Sequence, residues 1–430
     1  MSEILIQNGR LIDPRQGIDR PASLLLRDGK VVGIDTPPSR ERATIINAQG
    51  MIVAPGLIDM HVQLREPGFE EDETIESGTA AALAGGFTSL ACLPDTDPPL
   101  DSQAGVEFVQ HQAVRADNCH VFVLACVSKN RDGEQLAELG TLCNAGAVGF
   151  TDAMAPIHSA ELMRRALEYS QMFNRPILNH PEVVDLTRNG IMHEGLVSTI
   201  LGLASLPAEA EDVMTGRDLR LAEATGGRLH LLNISSGGSV ELIRRAKNRG
   251  VRITAGVCAH HFSLTDEALR TFDTNCKVNP PLRSSDHVGQ VILGLQDNTL
   301  DVICSGHAPR PTEKKMQELD QAPFGMVGLE TVLGLVGAKL IATNLLCWTQ
   351  AIEKMSANPA AILGQTAKGH LSAGADADVT VFDPQARWSV DPARFRSKSS
   401  NSPLAGWELQ GRVEFTIVSG RIKYRRQQAS

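Results

Sequence analysis

The segment Asp59-Met60-His61-Val62-Gln63-Leu64-Arg65-Glu66-Pro67-Gly68 places an imidazole, an amide and a guanidinium at alternate positions of one apolar run. In an extended strand residues two apart share a face, so His61 and Gln63 point the same way. Similar chemistry follows other apolar runs: Asp95 after Leu93-Pro94, Asp152 after Phe150-Thr151, and His180 after Asn179. Asn233 ends His230-Leu231-Leu232, His260-His261 follow Cys258, and Gly306, His307 and Arg310 follow Cys304. Imidazole and carboxylate are the ordinary ligands of zinc, which lowers the pKa of a bound water enough to make hydroxide near neutral pH. A lone histidine at a strand end is more often structural. Three ligand-type residues at the ends of different runs (His61, Asp152 and His180) point to descent from a metal site without establishing a working one.

The runs that carry these residues number eight: 56–61, 87–93, 119–128, 147–152, 176–180, 228–234, 252–257 and 302–307. Helical stretches lie between most of them, most clearly Ser159 to Gln171 and Ser239 to Arg249. Strands alternating with helices imply a parallel sheet, and eight over roughly 300 residues imply a TIM (β/α)8 barrel, whose chemistry sits at the C-terminal strand ends. A doubly wound open sheet is the rival, weakened because no glycine-rich phosphate loop follows the first strand. Both chain ends are β-rich. Asp28-Gly29 and Ser419-Gly420 separate paired apolar runs and predict hairpins. The expected organisation is a barrel over residues 53–365 and one β-sandwich built from residues 1–52 and 366–430.

A net charge of −9 argues against nucleic acid or an anionic membrane as partner. No run approaches the roughly 20 apolar residues of a membrane span, and the chain opens on a strand rather than a secretory leader. The eight cysteines are scattered without a C-x-x-C pair, which reads as buried reduced thiols in a cytoplasmic protein.

Along nearly its whole length the sequence resembles the dihydroorotases of the amidohydrolase superfamily. The family's first-strand motif D-x-H-x-H-x-R-x-P-G matches Asp59 to Gly68 at all but one place. Gly85-Gly86-Phe87-Thr88, Pro207 to Asp212, Asn279-Pro280-Pro281-Leu282-Arg283, Pro323 to Thr331, Gly374 to Asp378 and Asn401 to Trp407 agree as well. The resemblance implies a zinc site of two strand-one histidines, a strand-four aspartate, histidines after strands five and six, and a strand-eight aspartate. It also implies that an arginine, an asparagine and a histidine hold the substrate carboxylate.

Against that pattern His61, Asp152 and His180 are kept, while Gln63, Asn233 and Gly306 replace family ligands. Neutral amide oxygens are weak zinc ligands, and Gly306 has no side chain to serve as a base. In the substrate pocket Arg65 and Asn279 remain, but Asp95 replaces the asparagine and Arg310 the histidine. A carboxylate at 95 repels a substrate carboxylate, and Asp95 pairing with Arg310 or Arg65 is the expected relief. These departures predict no tightly bound zinc and a non-catalytic chain of pyrimidine biosynthesis. Such a chain, by resemblance, is a structural partner of the aspartate transcarbamoylase catalytic chain, itself expected to be a homo-oligomer. The rival expectation is an active cyclic amide hydrolase of dihydroorotase, hydantoinase or allantoinase type with an altered or single-metal site, recruiting His260, His261 or His307.

Overall fold

The computed structural model describes residues 3–38 and 43–427. Eight parallel strands form the barrel: β1 (Leu57–Val62), β2 (Phe87–Cys92), β3 (His120–Ala125), β4 (Gly149–Phe150), β5 (Ile177–Asn179), β6 (Leu229–Leu231), β7 (Ile253–Cys258) and β8 (Val302–Cys304). They pair in sequence order, and a parallel bridge between Val62 and His307 brings the last strand back to the first. The backbone N–H of Gln63 donates to the His307 carbonyl at 2.9 Å across this seam. All eight predicted runs are strands here, most of them shorter than the apolar runs. Once a strand passes the barrel rim its residues turn into loops that the apolar pattern does not mark.

Most barrel strands are buried on both faces, because side chains fill the inside and helices cover the outside. The helices start where a side chain takes over an orphan backbone N–H. Ser159 accepts from Leu162 N to open Ala160–Ser170, and Ser236 accepts from Gly238 N to open Gly237–Asn248. None of the described helices is long and apolar enough to cross a membrane.

The two chain ends meet in one eight-stranded sheet. Its central strand, Glu3–Asp13, pairs with Ile18–Arg27 on one side and branches to Thr44–Asn47 and Ile52–Pro55 on the other. Ile52–Pro55 then pairs with Val379–Ser389, which joins the first residues of the chain to the last. The hairpin turns are as the sequence predicts: Asp28 and Gly29, and Ser419 and Gly420, all take positive φ, the two-residue turn that matches strand twist. Ile6, Leu24, Leu26, Val379 and Ile417 form a core of their own. The sheet is fixed beneath the barrel, where Thr380 Oγ1 donates to the Gly86 carbonyl at 2.6 Å.

Candidate active site

The C-terminal ends of the strands surround a cavity of about 330 Å³ lined by His61, Gln63, Asp95, Asn233, Cys258, His260, Asn279, Gly306 and Arg310. Asp59 sets its floor. One carboxylate oxygen accepts from His61 N and the other from Ser305 N, each at 2.9 Å, so β1 and β8 are held in register from inside. Burial raises this carboxyl to about 6.

Above the floor runs a chain of neutral hydrogen bonds. The Cys258 thiol donates to Asn233 Oδ1 at 2.9 Å, and Asn233 Nδ2 donates to His61 Nε2 at 3.2 Å. An amide nitrogen only donates, so His61 Nε2 carries the lone pair and its proton is on Nδ1, which is buried without a partner. Burial drives His61 down to about 3, with His180 a further influence, so the ring is uncharged near neutral pH. Asn233 takes a positive φ of 53°, a conformation that asparagine tolerates better than most residues and that swings its amide across the mouth.

Gly306 also has a positive φ, 62°. A Cβ there would lie 2.6 Å from Cys258 Sγ and 2.8 Å from the Cε1 of His260. The space a strand-eight side chain would use is therefore filled by the Cys258 thiol at the end of β7 and the His260 imidazole just after it.

The remaining sequence-predicted residues divide. Asp152 is buried and does not line the cavity: Val127 N, Ser128 N and Ser128 Oγ occupy its carboxylate at 2.8, 3.1 and 2.6 Å. Asp152, expected as one of the surviving ligand-type residues, is thus hydrogen-bonded within the protein. His180 is buried beside the cavity, with Nε2 3.2 Å from Glu182 and Nδ1 unpartnered. Asn279 donates to the same carboxylate at 2.8 Å. Burial works against the charge on Glu182, but the bonds from His180 and Asn279 help to hold it down to about 2. His307 is turned outward to Glu73 at 3.3 Å and accepts from Gly328 N, so it is not recruited.

A charged arc completes the rim. Arg65 donates to Asp95 at 3.1 Å and to Gln63 at 2.5 Å, and lies 3.8 Å from Asp72. Arg310 and Lys314 both pair with Asp72, at 2.8 and 2.6 Å. Asp95 thus takes Arg65 rather than Arg310, because the fully buried Asp72 claims Arg310 first. Sequence reasoning did not find Asp72, Glu73 or the part played by Cys258. The one available signal was Cys258 standing two residues before a His-His pair at a strand end.

This donor set does not fit a pair of zinc ions. Gln63 and Asn233 offer amides, Gly306 offers nothing, Asp152 is committed elsewhere, and the His61 lone pair is taken by Asn233. Among the described residues, three ligand atoms come within 4.8 Å of one another at Cys258, His260 and His261.

A family model described as dihydro-orotase-like matches residues 50–239, and an amidohydrolase family model matches residues 324–424. The dihydroorotase of Pelotomaculum thermopropionicum is 49% identical over 420 residues, covering 98% of each chain. That of Syntrophus aciditrophicus is 47% identical over 424 residues, covering 98% of this chain and 99% of the other. The chain belongs to the dihydroorotase family. Among solved structures, the L-hydantoinase (dihydropyrimidinase) of Arthrobacter aurescens superposes with a TM-score of 0.89 at 25% identity, covering 100% of this chain and 98% of that one. The fold expectation is met by this family's barrel. The expectation that the chain is not an enzyme is overturned: full-length relatives at 45–49% identity are named for an enzyme. That expectation rested on missing ligands of one particular site, and their absence does not amount to loss of activity.

Proposed function

We propose that this member of the dihydroorotase family hydrolyses a cyclic amide from an altered site. The observation that carries the reading is the cavity at the barrel mouth, where this fold keeps its chemistry. It has room for a small ring, with Gln63, Asn233 and Asn279 supplying amide donors and acceptors for a ring imide. The neutral His61 Nε2, now held by Asn233, is the acceptor for the proton of a water attacking the ring carbonyl. An imidazole held near 3 by burial is a weak base, so low turnover is expected. Asp95 occupies Arg65, which favours rings without a carboxylate over dihydroorotate. The test is ring opening of dihydroorotate, dihydrouracil and a substituted hydantoin by the purified chain, with and without added zinc. Opening that His61→Ala abolishes supports the reading. Opening unaffected by His61→Ala, or none of any ring, overturns it.

By resemblance the chain also associates with the catalytic chain of aspartate transcarbamoylase in a cytoplasmic complex. Co-elution of the two purified chains at micromolar concentration supports this, and separate elution counts against it.

A further inference from the structure

We infer that the end of β7 is a metal site in its own right, in which Cys258, His260 and His261 hold one soft divalent cation of the zinc class. The inference does not depend on the hydrolase reading.

Three observations converge on it. The ligand atoms of the three residues lie within 4.8 Å of one another, close enough for small side-chain rotations to bring them around a single ion. The two imidazole rings are 4.3 Å apart and tilted by 57°, so they do not stack flat and their nitrogens need not compete for the same direction. The three residues are 0, 5 and 3% exposed, and one imidazole nitrogen among them, His261 Nδ1, is buried without the partner a buried polar group should have. His261 Nε2 lies 3.0 Å from the Pro280 carbonyl and must donate its proton there. Its lone pair is then on Nδ1, which is buried without a partner. A histidine whose second nitrogen is pinned to a backbone carbonyl is how proteins orient a metal-binding imidazole. Neither ring nitrogen of His260 has a protein partner among the described residues, and its ring lines the cavity, which gives an ion a route in.

Gly306 explains why the group can form here. Without a side chain at 306, Cys258 Sγ and His260 advance into the space that a strand-eight residue would claim. A thiolate with two imidazoles suits zinc and cobalt better than hard cations. A bound water or the Asn233 oxygen, now 2.9 Å from the sulfur, completes four-coordination. On binding, the thiol proton leaves to solvent, so one proton is released per ion and affinity rises with pH.

The experiment is cobalt titration of chelator-treated protein carrying Cys347→Ser, which removes the exposed thiol. One equivalent of cobalt should bind and produce a near-ultraviolet thiolate-to-cobalt charge-transfer band, with zinc displacing it. Cys258→Ser, nearly the same size, should abolish the band and weaken binding at least about tenfold, and His260→Gln should weaken binding within a similar range. Circular dichroism establishes that each variant folds. No band, or a band that survives Cys258→Ser in folded protein, overturns the inference. No substrate is involved, so failure here leaves the hydrolase reading standing, and absence of hydrolysis leaves this site standing.

Discussion

The two arcs of the barrel mouth are built on opposite principles. From β7 past the end of β6 to β1, Cys258, Asn233 and His61 pass neutral hydrogen bonds from one to the next, and histidine nitrogens are left without partners. In the loops after β1, β2 and β8, Arg65, Asp95, Asp72, Arg310 and Lys314 satisfy one another as charges. The first arc is open to a ligand because its groups are underused. The second is closed because every charge already has a counterpart, so a ligand carboxylate must compete with Asp95 for Arg65. The mouth therefore sets unspent nitrogen and sulfur donors next to a saturated network of charges.

The sharpest way to break this contrast is Asp72→Ala. It strips the shared counter-ion from Arg310 and Lys314 and a neighbour from Arg65, leaving buried positive charge uncompensated. A loss of about 3–5 kcal/mol in urea unfolding is expected. A loss below about 1 kcal/mol would mean that the arc is solvated rather than closed.

Gly306→Asp tests the neutral arc. The new side chain meets Cys258 and His260 at under 3 Å and takes a left-handed backbone conformation. About 2–3 kcal/mol of destabilisation is expected. The double variant with Cys258→Ala should recover part of it, and simple additivity of the two changes would contradict the packing described.

Acid should find the neutral arc first. Burial lowers His61, His193 and His230 from near 6.5 to about 3 and His261 to about 4. A base with a lowered folded pKa binds fewer protons in the folded state. Its stabilisation is present above 6.5 and is lost as pH falls toward the folded value, by about 1.4 kcal/mol per group per pH unit. Asp59, raised by burial to about 6, and Glu330, raised to about 7, oppose this over part of the window, being favoured when protonated. His260 and His287 are lowered as well, and the other carboxyls raised by burial (Asp152, Asp212, Asp218, Asp266 and Asp301) carry smaller shifts, so unfolding free energy should fall from pH 6.5 to pH 4.5. A flat or rising profile in denaturant titrations would refute the assignment of neutral buried rings.

The smallest effect is expected from Asp95→Asn. Stability should change by about 1 kcal/mol or less, since Asp72 still faces Arg65. The freed guanidinium should improve affinity for dihydroorotate relative to dihydrouracil by about tenfold, which is 1.4 kcal/mol. Calorimetry showing no change in that ratio would separate Asp95 from substrate selection.

The barrel and the composite sheet were legible because apolar runs, caps and Asp-Gly turns are local signals that agree with the global arrangement. Alternation also placed His61 and Gln63 correctly on the cavity face. Direction beyond the strand ends was not legible. Asp152 lies just past the short β4, where the backbone leaves strand geometry, and the neighbouring Ser128 hydroxyl decides its orientation. Cys258 reads in sequence as one inert thiol among eight. Only the vacancy at Gly306, a contact between residues 48 positions apart, gives it a neighbour and a role. Asp72 could not be singled out from an acidic stretch that includes Glu70 and Glu71, because its partners at 310 and 314 come from across the mouth.

The mouth is also finished by residues far along the chain. Ser397 hydrogen-bonds to Glu73, and Lys398 N donates to it at 3.0 Å. The Asn401 side chain accepts from Arg310 N and donates to the carbonyls of Ala308 and Gly325. The terminal sheet likewise cannot close until Val379–Ser389 reaches Ile52–Pro55. Because synthesis runs from the N-terminus, a ribosome must have made Val379–Phe382 before the sheet can join and Asn401 before the mouth can be finished. Until then the loops after β1 and β8 lack their tether, and the nascent barrel carries an unsealed rim. Contacts of such sequence separation slow the final step of folding. A chain shortened by some thirty residues would therefore be released with its mouth unfinished, although most of its barrel helices and strands had already formed.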